Sequence, residues 1–273
     1  MTATPVRHPA VAGRFYPHDP EALREQVKAH LSQGPQHAPV RALGCIVPHA
    51  GYMYSGHVAG AVFSELEVPQ LCLVLCPNHT GVGRPLAIMS EGAWETPLGN
   101  VPIDSPFANA LKQRCPLLQE DSLAHRSEHA AEVELPFLQI CQPLLRFIPI
   151  ALGTGNFEII EQLGDAIADV IAAHDRPILI VASSDMNHYE SDAITRVKDH
   201  KAIEPILALD ARALYDVVMQ EHISMCGFGP AVAMLTAAKK LGAASAEVVK
   251  YATSGEVSGD LDMVVGYSGI VVR

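Results

Sequence analysis

The chain has few basic residues for its length. Its 273 residues include 19 Lys and Arg against 30 Asp and Glu, a formal net charge of −11. Nucleic acids and anionic membranes are bound through clustered Lys and Arg. The longest basic runs, such as Lys239-Lys240, are typical of solvated helix ends. We therefore expect neither a nucleic-acid partner nor a membrane partner.

Signals of export and of a disulfide framework are also lacking. The first 17 residues contain no apolar segment typical of a signal peptide, and no run approaches the roughly 18 apolar residues of a membrane helix. The six cysteines, at positions 45, 72, 76, 115, 141 and 226, show no CxxC spacing. This pattern indicates reduced thiols and predicts a cytoplasmic protein.

Apolar runs that suit strands alternate with segments of helical periodicity. Hydrophobic residues make up 49% of the chain and charged residues 18%, which is typical of a well-buried core. Helix starts are predicted at Asp19-Pro20-Glu21 and at Ser55. Strands bounded by helices predict a single-domain α/β sandwich over 1–273, with a central sheet flanked by helices. The other predicted elements are strands at 43–47, 71–75, 86–89, 147–152, 178–182, 248–252 and 263–272 and helices at 159–173 and 230–241.

Three predicted strands end just before residues that can carry chemistry. His49 and His79 each follow one such run, and Asp185 and His188 follow a third. In open α/β sheets, ligands bind in the crevice outside the carboxyl ends of the strands. We therefore expect these four side chains to converge, although they lie far apart in the sequence.

Imidazole with thiolate or carboxylate is a common donor set for a first-row transition metal. Cys226 lies in a glycine-rich loop before a predicted helix, where a thiol is more easily deprotonated than inside a strand. The predicted metal ligands are His49, His79 and Cys226, with Asp185 beside them as a catalytic residue or further ligand. Three protein ligands leave an open position, next to which His188 is predicted to transfer protons.

Each of these residues also has a plainer interpretation. A histidine after a strand is commonly a loop residue, Asp185 can cap a short turn, and Cys226 can be a small buried hydrophobe. A metal-free alternative is a hydrolase with Cys226 as nucleophile, His188 as base and Asp185 as orienting acid. We rank it lower because it leaves His49 and His79 without a role.

A second polar cluster surrounds His129 and Glu132, which share a face if the segment is helical. That spacing suits a metal-binding pair, but it suits a solvent-exposed, salt-linked helix better. A third interpretation is that either residue orients a ligand or contacts substrate at the edge of the cleft. Tyr52, Tyr54 and Trp94 are candidates to line the pocket, or they are half-buried anchors.

The order of these motifs resembles the Memo family. The fold of that family is similar to that of the class III extradiol ring-cleaving dioxygenases, which use non-haem iron. The resemblance covers nearly the whole chain and keeps the family's order of motifs. The matching segments are 7–17, 47–52, 55–56, 77–79, 128–132, 135–136, 183–185, 188 and 226–227.

The resemblance implies a particular site. The family's metal residues fall on His49, His79 and Cys226, with Asp185 nearby, and the dioxygenases' acid/base histidine falls on His188. Those dioxygenases use a carboxylate as the third ligand, whereas a thiolate is softer and favours copper, zinc or thiolate-ligated iron. The resemblance therefore implies iron or copper, with zinc a further choice, in a redox or dioxygenase-like enzyme.

The resemblance also keeps a non-catalytic function open. Eukaryotic Memo proteins are described as interaction proteins that bind phosphotyrosine peptides. The expected occupant of the cleft is accordingly a small molecule or a peptide.

Overall fold

The computed structural model describes residues 5–34 and 38–273. The strands are β1 (Val6–Arg7), β2 (Gly44–Val47), β3 (Leu71–Pro77), β4 (Leu86–Ile88), β5 (Ala93–Thr96), β6 (Gly99–Pro102), β7 (Gln119–Glu120), β8 (Arg146–Leu152), β9 (Ile178–Ser183), β10 (His188–Glu190), β11 (Ala246–Thr253) and β12 (Val264–Val272). The helices are α1 (Pro20–Leu31), α2 (Tyr52–Glu65), α3 (Ser105–Arg114), α4 (Leu123–Arg126), α5 (Ala130–Cys141), α6 (Phe157–Ala172), α7 (Asp192–Leu207), α8 (Ala211–Gln220), α9 (Phe228–Lys240) and α10 (Gly255–Ser258).

Within the described residues, a mixed sheet of nine strands forms the centre of the fold. Its order is β10-β12-β2-β9-β3-β8-β4-β7, with β11 paired along β12. The central strands β2, β9, β3 and β8 are parallel, and β12 and β4 flank them in antiparallel orientation. A smaller sheet has the order β1-β5-β6. The predicted α/β class, with a central sheet flanked by helices, is confirmed, and the single-domain assignment stays a prediction.

The parallel strands consist of nearly continuous apolar residues because both faces of the sheet are covered. Successive side chains of a strand point to opposite faces. In β3, Leu73 and Leu75 belong to the core that includes Ile160 of α6. Cys72 and Val74 of the same strand belong to the core on the other face, with residues of α2 and α5.

The start of one helix differs from the prediction. Asp19 caps α1 as predicted, since its side chain accepts the backbone N–H groups of Glu21 and Ala22. The prediction that Ser55 caps α2 is wrong, because that helix begins at Tyr52 and the Ser55 hydroxyl donates to the Ala50 carbonyl. The earlier start places the first turn of α2 directly after the segment that contains His49.

The six cysteines are all free, and those at 45, 72, 76 and 115 are buried. Over residues 5–34 and 38–273, no helix combines the length and the apolarity needed to cross a bilayer.

Candidate metal site

Parallel strands place several predicted site residues at one edge of the sheet. His49, His79 and Asp185 lie two residues beyond the ends of β2, β3 and β9, respectively. The register pairs Val47 with Ser183, so that the ends of β2 and β9 are level. The ring centroids of His49 and His79 are consequently only 5.1 Å apart.

His129, the residue immediately before α5, completes a group of three imidazoles. Its ring centroid is 5.4 Å from that of His49 and 4.7 Å from that of His79. One ligand atom from each ring lies within 4.8 Å of the other two. Such a group could hold a metal ion. It contains two of the three predicted ligands, and its third member is a residue for which the sequence left a metal-binding, an exposed and a ligand-orienting interpretation open.

Glu128 holds the ring of His79 and the backbone of His129 in place. Its buried carboxylate is 2.9 Å from Nδ1 of His79 and accepts the backbone N–H of the same residue at 2.6 Å. It also accepts the backbone N–H of His129 at 2.9 Å. Because a carboxylate only accepts, Nδ1 of His79 carries the proton and Nε2 keeps a free lone pair. This is the arrangement of a carboxylate–histidine–metal triad.

Ser183 holds the ring of His49. Its hydroxyl lies 2.8 Å from Nδ1 of His49, 2.7 Å from Oε1 of Glu134 and 3.0 Å from the Ala130 carbonyl. The Ala130 carbonyl can only accept, so the hydroxyl donates its proton there, and burial raises the pKa of the Glu134 carboxyl, which can then donate to the hydroxyl oxygen. In this arrangement the hydroxyl accepts from Nδ1–H of His49, and the lone pair of Nε2 lies beside the Sγ of Cys226.

The electrostatics of the site favour the neutral, metal-binding form of two of the three imidazoles, those of His49 and His129. Burial and the neighbouring rings of His129 and His79 lower the pKa of His49 well below its usual value. Burial also lowers the pKa of His129. Burial opposes the charged pair of His79 with Glu128, but their hydrogen bond raises the pKa of His79 and lowers that of Glu128 to about 2.

Cys226 contacts His49 but is not a member of the three-imidazole group. Its Sγ lies 3.3 Å from Nε2 of His49 and accepts the backbone N–H of Asp185 at 3.3 Å. Burial and the charge of Asp185 raise the pKa of the thiol. The loop that contains Cys226 approaches the end of β9 so closely that residue 227 must be glycine, since a Cβ there would lie 2.3 Å from the Ser183 carbonyl oxygen.

His188 lies on β10 and lines a cavity that the three imidazoles also line. Its Nδ1 is 2.9 Å from the Ser224 carbonyl and its backbone N–H donates to the Ser224 hydroxyl at 2.7 Å. A carbonyl only accepts, so Nδ1 carries the proton and Nε2 is available as a proton acceptor. Asp185 is buried, and its Oδ1 accepts the backbone N–H of His49 at 2.8 Å.

The site opens into a cavity of about 470 Å³. This size is typical of small-molecule sites. The imidazoles of His49, His79, His129 and His188 line it. The other lining side chains are aromatic, aliphatic or charged: Arg14, Phe15, Tyr54, Asp185, Tyr189, Val265 and Tyr267, with Ala50 and Gly51.

Three of the predicted pocket residues lie away from this cavity. Tyr52 is buried and its hydroxyl donates to the Val133 carbonyl at 2.7 Å. Trp94 is fully buried on β5, with the guanidinium of Arg7 lying 4.3 Å from its ring centroid. Glu132 is also fully buried, so the interpretation of its segment as a solvent-exposed helix is wrong.

Sequence reasoning assigned no role to several residues that support the site. Glu128 is 49 positions from His79, and Ser224 is 36 positions from His188. No periodicity links residues at such separations. The dipeptide Glu128-His129 directly before a helix was the one local signal, because a buried acid at a helix start can meet an imidazole on a neighbouring loop.

A buried acid lies behind the segment that leads into β10 and His188. Asp199 of α7 accepts the backbone N–H of Asn187 at 2.8 Å and the hydroxyl of Tyr251 at 2.7 Å. Burial raises the pKa of the Asp199 carboxyl from 3.8 to about 7, although both hydrogen bonds lower it. The folded protein therefore keeps this proton over a pH range in which the unfolded chain releases it.

We expect this proton to make stability depend on pH. The stabilisation is complete below pH 3.8 and is lost as the pH rises through about 7. Relative to Asp199→Asn, which stays neutral, the wild-type free energy of unfolding should fall by about 3 kcal/mol between pH 5 and pH 8. Urea unfolding of both proteins at the two pH values measures this difference, and parallel pH profiles would contradict it.

The fold and the site define an α/β protein with a three-histidine group at the carboxyl edge of its central sheet. The family model described as Memo-like protein matches residues 7–271. The chain is 44% identical over 279 residues to a MEMO1 family protein of Methanopyrus kandleri, covering 98% of this chain and 99% of that protein. It is 41% identical over 269 residues to one of Methanosarcina barkeri, covering 98% and 100%. The chain therefore belongs to the Memo family.

A solved structure shares the fold. The crystal structure of an uncharacterized protein from Escherichia coli K12 matches with a TM-score of 0.54 and 12% sequence identity. The match covers 85% of this chain and 100% of that chain. At this identity the likeness concerns the fold alone.

Proposed function

We propose that this Memo family protein is a metal-dependent enzyme of redox or dioxygenase-like activity. In this proposal His49, His79 and His129 bind iron or copper, with Cys226 and Asp185 beside the metal. One observation carries the proposal: ligand atoms of three imidazoles lie within 4.8 Å of one another. The partners of Nδ1 on His49 and His79 fix the two rings and leave their Nε2 atoms as the metal-binding positions, that of His49 beside the Sγ of Cys226.

The donor set fits such a metal. Imidazole binds iron, copper and zinc, and a thiolate next to it favours the softer metals. Cys226 would join the ligands by losing its proton, because a coordinated thiol is deprotonated outright. When bound, the metal would supply Lewis acidity and one-electron chemistry.

Residues of the chain would then transfer protons to and from the bound ligand. His188 lines the cavity, and the Ser224 carbonyl fixes its tautomer so that Nε2 is the acceptor. It can accept a proton from a ligand in the cavity and return it. Asp185 holds the backbone of His49, and burial raises the pKa of its carboxyl, so that it also can carry a proton.

We expect the metal to be lost when the imidazoles are removed. Protein purified without oxygen should contain about one iron or copper per chain by elemental mass spectrometry, and His79→Ala and His129→Ala should contain little of either. Cys226→Ser should bind more weakly and lose any sulfur-to-metal absorption band. His200→Ala, on the exposed face of α7, is the matched control and should retain the metal. Full metal content in both the His79 and His129 variants would contradict the proposed site.

The other functional hypotheses have less support. A Cys–His hydrolase needs a reactive thiolate, whereas burial raises the pKa of Cys226. Nδ1 of His188 is bonded to Ser224 and not to Asp185. We propose a small molecule or peptide as the occupant of the cleft. The net charge of −11 supports the further proposal that the protein binds neither nucleic acid nor anionic membrane, and the free cysteines support the proposal of a cytoplasmic protein.

A further inference from the structure

One wall of the cavity is the N-terminal loop, residues 10–16. The Phe15 carbonyl accepts the backbone N–H of Tyr52 at 2.8 Å, which joins this loop to the start of α2. The ring of Phe15 meets that of His129 edge-on, with centroids 4.9 Å apart. The N-terminal loop is thus in direct contact with the three-imidazole group.

Hydrogen bonds to Glu132 hold the N-terminal loop in place. This carboxylate accepts the backbone N–H groups of Ala10 at 2.8 Å and Val11 at 3.0 Å, and the hydroxyl of Tyr16 at 2.6 Å. Gly13, with φ of 81°, forms a turn in which its N–H donates to the Tyr16 carbonyl at 2.7 Å. Both ends of the N-terminal loop are therefore fixed to one buried group.

Arg14 projects from this fixed loop into the lining of the cavity. Its Nη2 donates to the Ala10 carbonyl at 2.9 Å, which uses one of the five guanidinium N–H donors. Among the described residues, no carboxylate forms an ion pair with Arg14, although the chain carries 30 acids for 19 basic residues. The cavity lining therefore includes an exposed guanidinium whose other donors have no protein partner among the described residues.

The surroundings of Arg14 indicate what kind of anion would bind. A single guanidinium matches the charge and the two-oxygen geometry of a carboxylate. A phosphate group, with close to two negative charges at neutral pH, would call for further cationic or backbone N–H donors. Phe15, Tyr54 and Tyr267 supply flat apolar surfaces in the same cavity.

We propose that Arg14 determines specificity by binding the carboxylate of a small organic acid whose flat apolar body packs on the cavity aromatics. The proposal rests on the proposed function in one respect, namely that this acid is the substrate of the reaction at the metal. The binding itself uses the N-terminal loop and needs no metal. A cavity of about 470 Å³ suits a ligand of this size.

Benzoate and its neutral counterpart benzamide test the proposal. We expect benzoate to bind the metal-free protein, monitored by NMR titration, and Arg14→Gln to weaken it roughly tenfold. Arg14→Lys should keep part of the affinity because it keeps the charge. Arg84→Gln is the matched control, since Arg84 is exposed and does not line the cavity. Benzamide affinity should be equal in the wild type and in Arg14→Gln.

The same titrations in metal-loaded protein separate this inference from the proposed function. Loss of benzoate binding in Arg14→Gln without metal supports the inference even if no metal binds. Benzoate that binds only the metal-loaded protein, equally well in Arg14→Gln, would place the carboxylate on the metal and overturn the role of Arg14. Failure of the wild type to bind benzoate in either form would overturn it as well.

Discussion

Replacing Glu132 with alanine is expected to lower the free energy of unfolding by about 3–5 kcal/mol, as removal of one partner of a buried ion pair does. The fully buried carboxylate pairs with Arg7, whose guanidinium also donates to the carbonyls of His125 and Glu128. It further accepts two backbone N–H groups and the hydroxyl of Tyr16. Without Glu132, a buried positive charge and three polar donors lose their acceptor. Urea unfolding monitored by circular dichroism measures the loss.

Two comparisons make this expectation specific. Arg212→Ala breaks an exposed pair with Asp216, whose side chains are 58% and 39% exposed, and should cost less than about 1 kcal/mol. Arg7→Met combined with Glu132→Ala should recover only part of the loss, because the donors of the N-terminal loop still have no acceptor. A Glu132→Ala protein as stable as Arg212→Ala would show that the carboxylate does not hold the N-terminal loop.

Replacing Glu128 with glutamine is expected to lower metal affinity by about 10- to 100-fold while leaving the three imidazoles in the chain. The amide keeps one acceptor oxygen but replaces the other with an NH2 donor, and it no longer makes a charged pair with His79. The ring is then less basic and less firmly oriented. Competition titration with a chelator of known affinity measures the change for iron or copper.

A matched acid elsewhere in the chain provides the control. Glu120 also accepts from several donors, including Ser90 and Lys112, and lies outside the cavity. Glu120→Gln should leave metal affinity unchanged. Ser183→Ala should weaken binding in the same sense as Glu128→Gln, since it removes the partner of Nδ1 on His49. Unchanged affinity in Glu128→Gln would show that this carboxylate does not tune the site.

Much of the fold could be predicted because the central strands are buried on both faces. Their apolar runs stand out from the helices, whose hydrophobic residues recur with helical spacing. The short strands β5 and β6 escaped prediction because polar residues such as Glu95 and Asn100 interrupt their apolar pattern. Ser55 was misplaced since Gly51, which has no side-chain oxygen, occupies the N-cap of α2.

The residues of the candidate site that follow strand ends were predictable from the sequence. His49 and His79 follow buried strands, and parallel strands bring such positions to one edge. His129 belongs to a helix start on one face of the sheet, and its approach to the strand ends depends on how α5 packs. That packing is a tertiary property which local sequence does not encode. The roles of Glu128 and Ser183 depend on the same contact.

The position of β9 in the sheet has a consequence for the order in which the protein can assemble. β9 pairs with β2 on one side and β3 on the other, so it separates the strands that precede His49 and His79. A ribosome has made both histidines long before it reaches residue 183. The site must therefore wait for a strand more than a hundred residues downstream to insert between two earlier ones. Such non-local pairing is intrinsically slow, and a nascent chain that stops before β9 lacks the strand that sets the distance between His49 and His79.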